Sequence, residues 1–68
     1  ALKELTVRER EIVRLIAAHL TNREIAKKLY LSEGTVKQYI NLIYAKLQIV
    51  GDTRTKRKQL LELIGKNP

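Results

Sequence analysis

The chain has 68 residues, no cysteine and a formal net charge of +7 at pH 7. A chain of this length has room for one small core, and the lack of cysteine excludes disulfides and cysteine zinc sites. The positive charge favours an acidic polymer or an anionic surface as the partner. Residues 1–34 carry seven basic and five acidic side chains, whereas residues 35–68 carry seven and two, so we place the ligand on the second half.

Catalytic and membrane-spanning patterns are missing from the sequence. No apolar run approaches the roughly 18 residues of a membrane span, and no signal peptide pattern is present, so we expect a cytoplasmic protein. His19 is the single histidine, and it has neither the other ligands of a metal site nor the partners of a catalytic dyad. We therefore predict no enzymatic activity, no metal site and no cofactor. The chain begins at Ala1, and we expect a domain cut from a longer protein.

The first two helices are each predicted by a capping box. Thr6 with Glu9, and Thr21 with Glu24, have the spacing at which each side chain satisfies a backbone donor of the first turn. Apolar residues at helical spacing follow both boxes, and they predict helices over residues 7–18 and 22–30. The apolar residues on which these two predictions rest are Ile12, Val13, Leu15, Ile16, Ala17, Leu20, Ile25, Ala26 and Leu29.

A tight turn and a third helix follow, so the sequence predicts a helix-turn-helix over residues 21–47. Ser32 has the residue type and position of an N-cap, and the helix is predicted over residues 33–47. One sector of this helix is apolar and faces the core. Its members are Val36, Ile40, Ile43 and Leu47, with Tyr39 at the edge.

The opposite side of the third helix is polar, small and lightly charged, with Leu42 and Tyr44 at its margins. Gln38 and Asn41 have the paired donor and acceptor that match the edge of adenine, and Lys37 can reach guanine acceptors or phosphate. Gly34 and Ala45 are small enough to let the helix enter a groove deeply. An ordinary solvated helix face is the alternative interpretation of the same residues.

A fourth helix is predicted over residues 53–64, with Asp52 or Thr53 as its N-cap. Four leucines and isoleucines at residues 60–64 form its apolar face, and Gly65 followed by Pro68 marks its end. Its first turns hold the cations Arg54, Lys56, Arg57 and Lys58, which oppose the helix macrodipole. Phosphate contact is one interpretation of this cluster, and a solvated charge run is the other.

Several motifs in order resemble one known family, the LuxR/FixJ (NarL-type) DNA-binding domain of bacterial transcription regulators. The resemblance covers about residues 4–50 without a gap. It implies an all-α fold, a compact four-helix bundle in which the helix-turn-helix places the third helix in the major groove. The motifs are LTVRERE at 5–11, LIA at 15–17, TNREIA at 21–26, LSEGTVK at 31–37 and IYAKL at 43–47.

The resemblance also assigns roles to residues and partners. It implies base contacts from Lys37, Gln38 and Asn41, and phosphate contacts from Lys46 and the start of the last helix. It further implies a homodimer on double-stranded DNA, with the last helix as a candidate dimer contact, and the role of output domain in a two-component response regulator. A bacterial, nucleoid-associated location and RNA polymerase as a further candidate partner accompany that role. The full set of predicted phosphate-contacting residues is Thr21, Asn22, Ser32, Thr35, Tyr39, Lys46 and Arg54.

Three positions depart from the family pattern. His19 and Gln48 stand where the family usually has glycine, and His is among the few other residues that adopt a left-handed backbone. The family's Arg-Thr pair aligns either with Asp52 and Thr53, without a gap, or with residues 54–55 after a two-residue insertion. We favour the ungapped alignment, with Asp52 as the cap and Arg54 at the phosphate.

A second class of function is compatible with the sequence: a basic helical protein–protein interaction module, in which the fourth helix docks an acidic partner and sequence-specific DNA binding is lost. Titration with duplex DNA separates the two hypotheses. RNA binding is disfavoured, because the groove-reading helix suits B-form DNA and the three tyrosines form no stacking platform.

Overall fold

The computed structural model consists of four α-helices, and it describes residues 2–66, with the side chains of residues 3–65. After a short 3₁₀ turn at Leu2–Glu4, the elements are α1 (Val7–Ala17), α2 (Asn22–Leu29), α3 (Glu33–Lys46) and α4 (Thr53–Lys66). The described range contains no strand, so the prediction of an all-α fold is confirmed. No helix in that range is long and apolar enough to cross a membrane.

All four helices begin at the predicted residues, because local side chains cap them. The Thr6–Glu9 and Thr21–Glu24 capping boxes are both closed in each direction. Ser32 Oγ accepts from the Thr35 amide at 3.1 Å and caps α3. The cap of α4 is Asp52 rather than Thr53, since Asp52 Oδ1 accepts from the Thr55 amide at 2.7 Å.

The first three helices all end in the same way, with a left-handed residue that is not glycine. His19, Tyr30 and Gln48 have φ values of 66°, 58° and 57°. At each end the next residue donates back five positions, as from the Leu20 amide to the Leu15 carbonyl, which is the Schellman arrangement. The prediction that His19 tolerates the glycine position is confirmed, and Tyr30 was wrongly included in α2 as a helical residue.

The core lies where the four helices meet, and each helix contributes fully buried side chains. The residues with no exposed surface are Ile12, Ile16, Ile25, Val36, Ile43 and Leu60. Ala26 is 4% exposed at the packing of α2 against α3, where its small side chain permits close approach. Of the predicted core residues of α3, Leu47 is only partly buried.

Two predictions about the third and fourth helices were wrong. Tyr44, placed at the margin of the exposed side of α3, is only 5% exposed and belongs to the core. The start of α4 packs beside it, and the position of another helix cannot be inferred from the periodicity of α3. Gly65 does not end α4, which continues to Lys66. Pro68, the other predicted end signal, lies outside the described residues.

Candidate nucleic-acid interface

The three predicted base-reading side chains are all exposed on α3. Lys37, Gln38 and Asn41 lie on the side of the helix opposite Val36 and Ile43, which are fully buried. The buried side anchors α3 against α1 and α2, so the outward direction of the other side is fixed by core packing. The helix therefore presents these polar groups on a rigid element rather than on a loop.

A cleft of about 280 Å³ runs between α3 and the start of α4. Lys37 and Asn41 line it from α3, Lys56 and Arg57 from α4, and Asn22 from the first turn of α2. Cations from two helices thus converge beside the exposed face of α3. This clustering was not predicted, because the sequence alone did not show where α4 crosses α3.

Packing fixes the positions of the two α4 cations. Lys56 Nζ lies 5.5 Å from the centroid of the Tyr44 ring, within the range of a cation–π interaction. Arg57 donates from Nη2 to the Leu20 carbonyl at 2.7 Å, which ties α4 to the connection between α1 and α2. Burial raises the pKa of the Tyr44 hydroxyl, while the nearby charge of Arg57 opposes that change.

A second, shallower depression lies on the other side of Gln38. Its lining residues all belong to α3: Thr35, Gln38, Tyr39 and Leu42. Tyr39 and Thr35 are half-buried, whereas Gln38 and Leu42 are exposed. Gln38 therefore separates a basic cleft, which also contains Lys37 and Asn41, from a mixed polar and apolar depression on the other flank of α3.

Four of the predicted phosphate-contacting residues lie at helix N-termini. Thr21 and Ser32 are caps, so their hydroxyl oxygens already accept from the amides of Glu24 and Thr35. Ser32 Oγ also donates to Thr35 Oγ1 at 2.9 Å. Asn22 is half-buried, and its Oδ1 is a buried side-chain oxygen without a hydrogen-bond partner in the described part of the chain.

Lys46 lies at the opposite end of α3 and is paired within the protein. Its Nζ donates to Glu9 Oε1 at 2.7 Å, and its side chain is 35% exposed. The hydrogen bond from Lys46, assisted by the Thr6 amide and hydroxyl, holds the pKa of Glu9 below its usual value despite burial. Phosphate contact by Lys46 remains a prediction, and the partner that the structure shows is Glu9.

The start of α4 combines one acidic cap with several cations. Arg54 is exposed in the first turn, directly after the cap. Hydrogen bonds from the backbone and side chain of Thr55, and from the Arg54 amide, lower the pKa of Asp52, which therefore stays ionised as a cap. A negative charge at this end offsets part of the unfavourable interaction between the cations and the helix dipole.

Two features of the site were not predicted from the sequence. One is the inward Tyr44 ring under Lys56, which a 3.6-residue period places on the border between the buried and exposed sectors. The other is the convergence of Lys56 and Arg57 with Lys37 and Asn41 in one cleft. Leu42, which the sequence placed at the margin of the polar side, is 52% exposed there. For metal ions the described residues offer no cluster of three or more His, Cys, Asp or Glu side chains.

Known proteins similar to the chain are transcription regulators. The family model described as "Bacterial regulatory proteins, luxR family" matches residues 3–57. The "Uncharacterized transcriptional regulatory protein YvfU" of Bacillus subtilis is 47% identical over 58 residues, which are 85% of this chain and 28% of the relative. The "Putative HTH-type transcriptional regulator YhjB" of Escherichia coli is 37% identical over 62 residues, 91% of this chain and 30% of the relative.

A third relative carries DNA binding in its name. The "DNA-binding transcriptional activator DevR/DosR" of Mycobacterium tuberculosis is 44% identical over 46 residues, which are 68% of this chain and 21% of the relative. The chain thus spans less than a third of the length of each of these regulators. No solved structure matches the chain significantly.

Proposed function

Because this chain belongs to the luxR family of bacterial regulatory proteins, we propose that it regulates transcription by binding duplex DNA with α3 in the major groove. The observation that carries the proposal is the exposed polar face of α3, which stands between cations of α4 and the N-terminus of α2. A buried apolar face on the same helix fixes its orientation, as a groove-reading helix requires.

The dimensions of α3 suit this placement. Its 14 residues span about 21 Å at the usual rise per residue. The major groove is about 12 Å wide, so a helix of this length that crosses the groove at an angle extends to the phosphate backbones that border it. Ser32 and Thr35 lie at one end and Lys46 at the other.

Base reading is assigned to the middle of the helix. Lys37 suits guanine acceptors, whereas the amides of Gln38 and Asn41 suit the paired acceptor and donor of adenine. Gly34 and Ala45 are exposed on the same face and add no bulk that would hold the helix away from the bases. Sequence preference in this proposal comes from these three polar side chains.

Phosphate contacts supply most of the affinity and its salt dependence. The N-terminal ends of α2 and α3 have the positive dipole that favours a phosphate oxygen. Lys46 contacts a phosphate either by leaving Glu9 or by donating its remaining N–H groups to the phosphate while the pair with Glu9 persists. The residues assigned to phosphate are Thr21, Asn22, Ser32, Thr35, Tyr39, Lys46 and Arg54.

The family and the length of the relatives support a proposal for the rest of the regulator. Relatives more than three times as long as the matched segment have room for a regulatory domain, and we assign this chain to the DNA-binding output end of a two-component response regulator in the bacterial cytoplasm. Two copies reading half-sites about one helical turn apart would bind as a homodimer on DNA, with α4 as the dimer contact. RNA polymerase would be the further partner of such a regulator.

Alanine variants test the division between base and phosphate contacts. Gln38→Ala and Asn41→Ala should each relax sequence preference at one position, at a cost of roughly 1–3 kcal/mol on the preferred duplex. Lys46→Ala should weaken binding to all duplexes alike and flatten the dependence of affinity on salt. Affinities are measured on the duplex selected by the chain from a random pool and on a scrambled duplex of equal length.

Equal losses on the selected and scrambled duplexes for all three variants would overturn the assignment of base contacts. Absence of duplex binding at micromolar protein and moderate salt would overturn DNA binding as a whole, and it would favour the interaction-module alternative. Arg10→Ala is the matched control, since Arg10 is exposed on α1 outside the proposed interface.

A further inference from the structure

Leu42 is an exposed apolar side chain in the middle of the proposed DNA-reading face. Four large apolar side chains are strongly exposed among the described residues: Val7, Tyr30, Leu42 and Val50. Single exposed apolar residues are ordinary on protein surfaces. Of these four, Leu42 alone belongs to α3, and it is 52% exposed on a helix whose buried side chains are at most 6% exposed.

Leu42 lies at the edge of the base-reading side of the helix, next to Gln38. At about 100° per residue, Leu42 lies about 40° from Gln38, on the side away from Asn41, which lies about 60° from Gln38. Leu42 also shares the shallow depression with Gln38, one turn earlier. A helix that points Gln38 at base edges therefore brings Leu42 to the same groove floor.

The major groove offers one apolar group, the C5-methyl of thymine, and apolar side chains recognise it by contact. A leucine at this point cannot donate to a phosphate or pair with a polar base edge. Cations lie on the other side of Gln38, where Lys37, Lys56 and Arg57 line the cleft and Arg54 stands in the first turn of α4, and they match a polyanion such as the duplex. DNA is therefore the ligand that these observations favour for the depression.

We infer that Leu42 is a specificity-determining residue that packs against the methyl group of a thymine next to the base pair read by Gln38. The inference rests on the proposed function and adds an apolar contact to it. It makes sequence choice depend on a methyl group as well as on hydrogen bonds.

The test replaces thymine by deoxyuridine, which removes the methyl group and leaves base pairing unchanged. The 68-residue chain first selects its preferred duplex from a random pool, and each thymine of that duplex is then replaced singly. At one thymine per half-site, the replacement should lower wild-type affinity roughly three- to fivefold, the effect of withdrawing about one buried methyl group. Leu42→Ala should lose a similar factor on the thymine duplex and be indifferent to deoxyuridine at that position.

Two further variants make the result specific. Leu42→Met keeps an apolar contact and should retain the response to deoxyuridine. Val50→Ala shortens an exposed apolar side chain outside α3 and should leave both affinity and response unchanged. Alanine and methionine favour helix at an exposed position, so circular dichroism and thermal unfolding should show an intact fold for both Leu42 variants.

The outcomes separate this inference from the proposed function. If the wild-type chain selects no sequence, both fail. If it selects a sequence but no thymine responds to methyl removal, or if Leu42→Ala keeps the same response at the same thymine, Leu42 is not a methyl reader and sequence-specific binding by the polar residues stands.

Discussion

Glu9 closes the capping box of α1 with the same oxygen that accepts from Lys46. Oε1 lies 2.8 Å from the Thr6 amide nitrogen and 2.7 Å from Lys46 Nζ. Glu9 is 2% exposed, and a buried charge is tolerated only when its hydrogen bonds are made. One carboxylate therefore fixes the start of α1 and the end of α3 at the same point.

The lowered pKa of Glu9 predicts acid sensitivity. Its pKa in the folded protein lies below the usual 4.5, so between these two values the unfolded chain binds more protons and stability rises with pH. The contribution is complete above about pH 4.5 and is lost as the pH falls through the folded value. Glu9→Gln keeps the shape and an acceptor for Thr6, and it should cost about 1–3 kcal/mol at pH 7 and flatten the pH dependence below pH 5.

Urea unfolding of the two proteins at several pH values between 3 and 7 measures this effect. Glu62→Gln, at an exposed position of α4, is the control and should leave the pH dependence close to that of the wild type. A Glu9→Gln variant with an unchanged slope would show that the Lys46 pair contributes nothing to folding stability.

At the scale of elements, α4 is held to the rest of the fold by both apolar and polar contacts. Leu60 is completely buried, and Leu61 and Ile64 pack against the core. Arg57 adds the hydrogen bond to the Leu20 carbonyl, in the connection that leads into α2. The orientation of the α4 cations toward α3 therefore depends on a contact with the α1–α2 connection.

Removing the guanidinium should loosen this arrangement. Arg57→Gln loses a charge-assisted hydrogen bond, and we expect it to lower the free energy of unfolding by about 1–3 kcal/mol. Lys58→Gln removes the same charge from an exposed position of the same helix, and it should change stability by less than about 0.5 kcal/mol. Denaturant unfolding measures both, and equal effects of the two substitutions would mean that the Leu20 contact adds no stability.

The starts of the helices could be predicted from the sequence, because a capping signal needs only residues within one turn. Thr6, Thr21, Ser32 and Asp52 all cap the helices that follow them. The left-handed Tyr30 could not be predicted in this way, since tyrosine is not among the residues that commonly adopt that backbone.

The contacts that shape the candidate site could not be predicted from local sequence patterns either. Lys46 meets Glu9, and Arg57 meets the Leu20 carbonyl, each across 37 positions of the chain. Periodicity identified the exposed face of α3 and its polar residues. It could not place α4, and so it could not show that Lys56 and Arg57 line the same cleft as Lys37 and Asn41.

For the whole molecule, the location of positive charge matters more than its total. The chain carries 14 basic and seven acidic side chains. Two of the cations, Arg10 and Arg14, are exposed on α1, away from the cleft between α3 and α4. If binding uses a defined interface, cations in different places should contribute differently to DNA binding. If net charge alone attracts the DNA, all cations should contribute equally.

Arg54 and Arg14 separate these two cases, because both are exposed and each substitution by glutamine removes one positive charge. The logarithm of affinity falls with the logarithm of salt concentration by about 0.9 for each duplex phosphate that the protein neutralises. Arg54→Gln should therefore reduce the magnitude of this slope by about 0.9 if Arg54 contacts one phosphate in each complex. Arg14→Gln should leave the slope unchanged. Titrations on one duplex at several salt concentrations measure both slopes, and equal reductions would show that net charge, rather than a face centred on α3, governs binding.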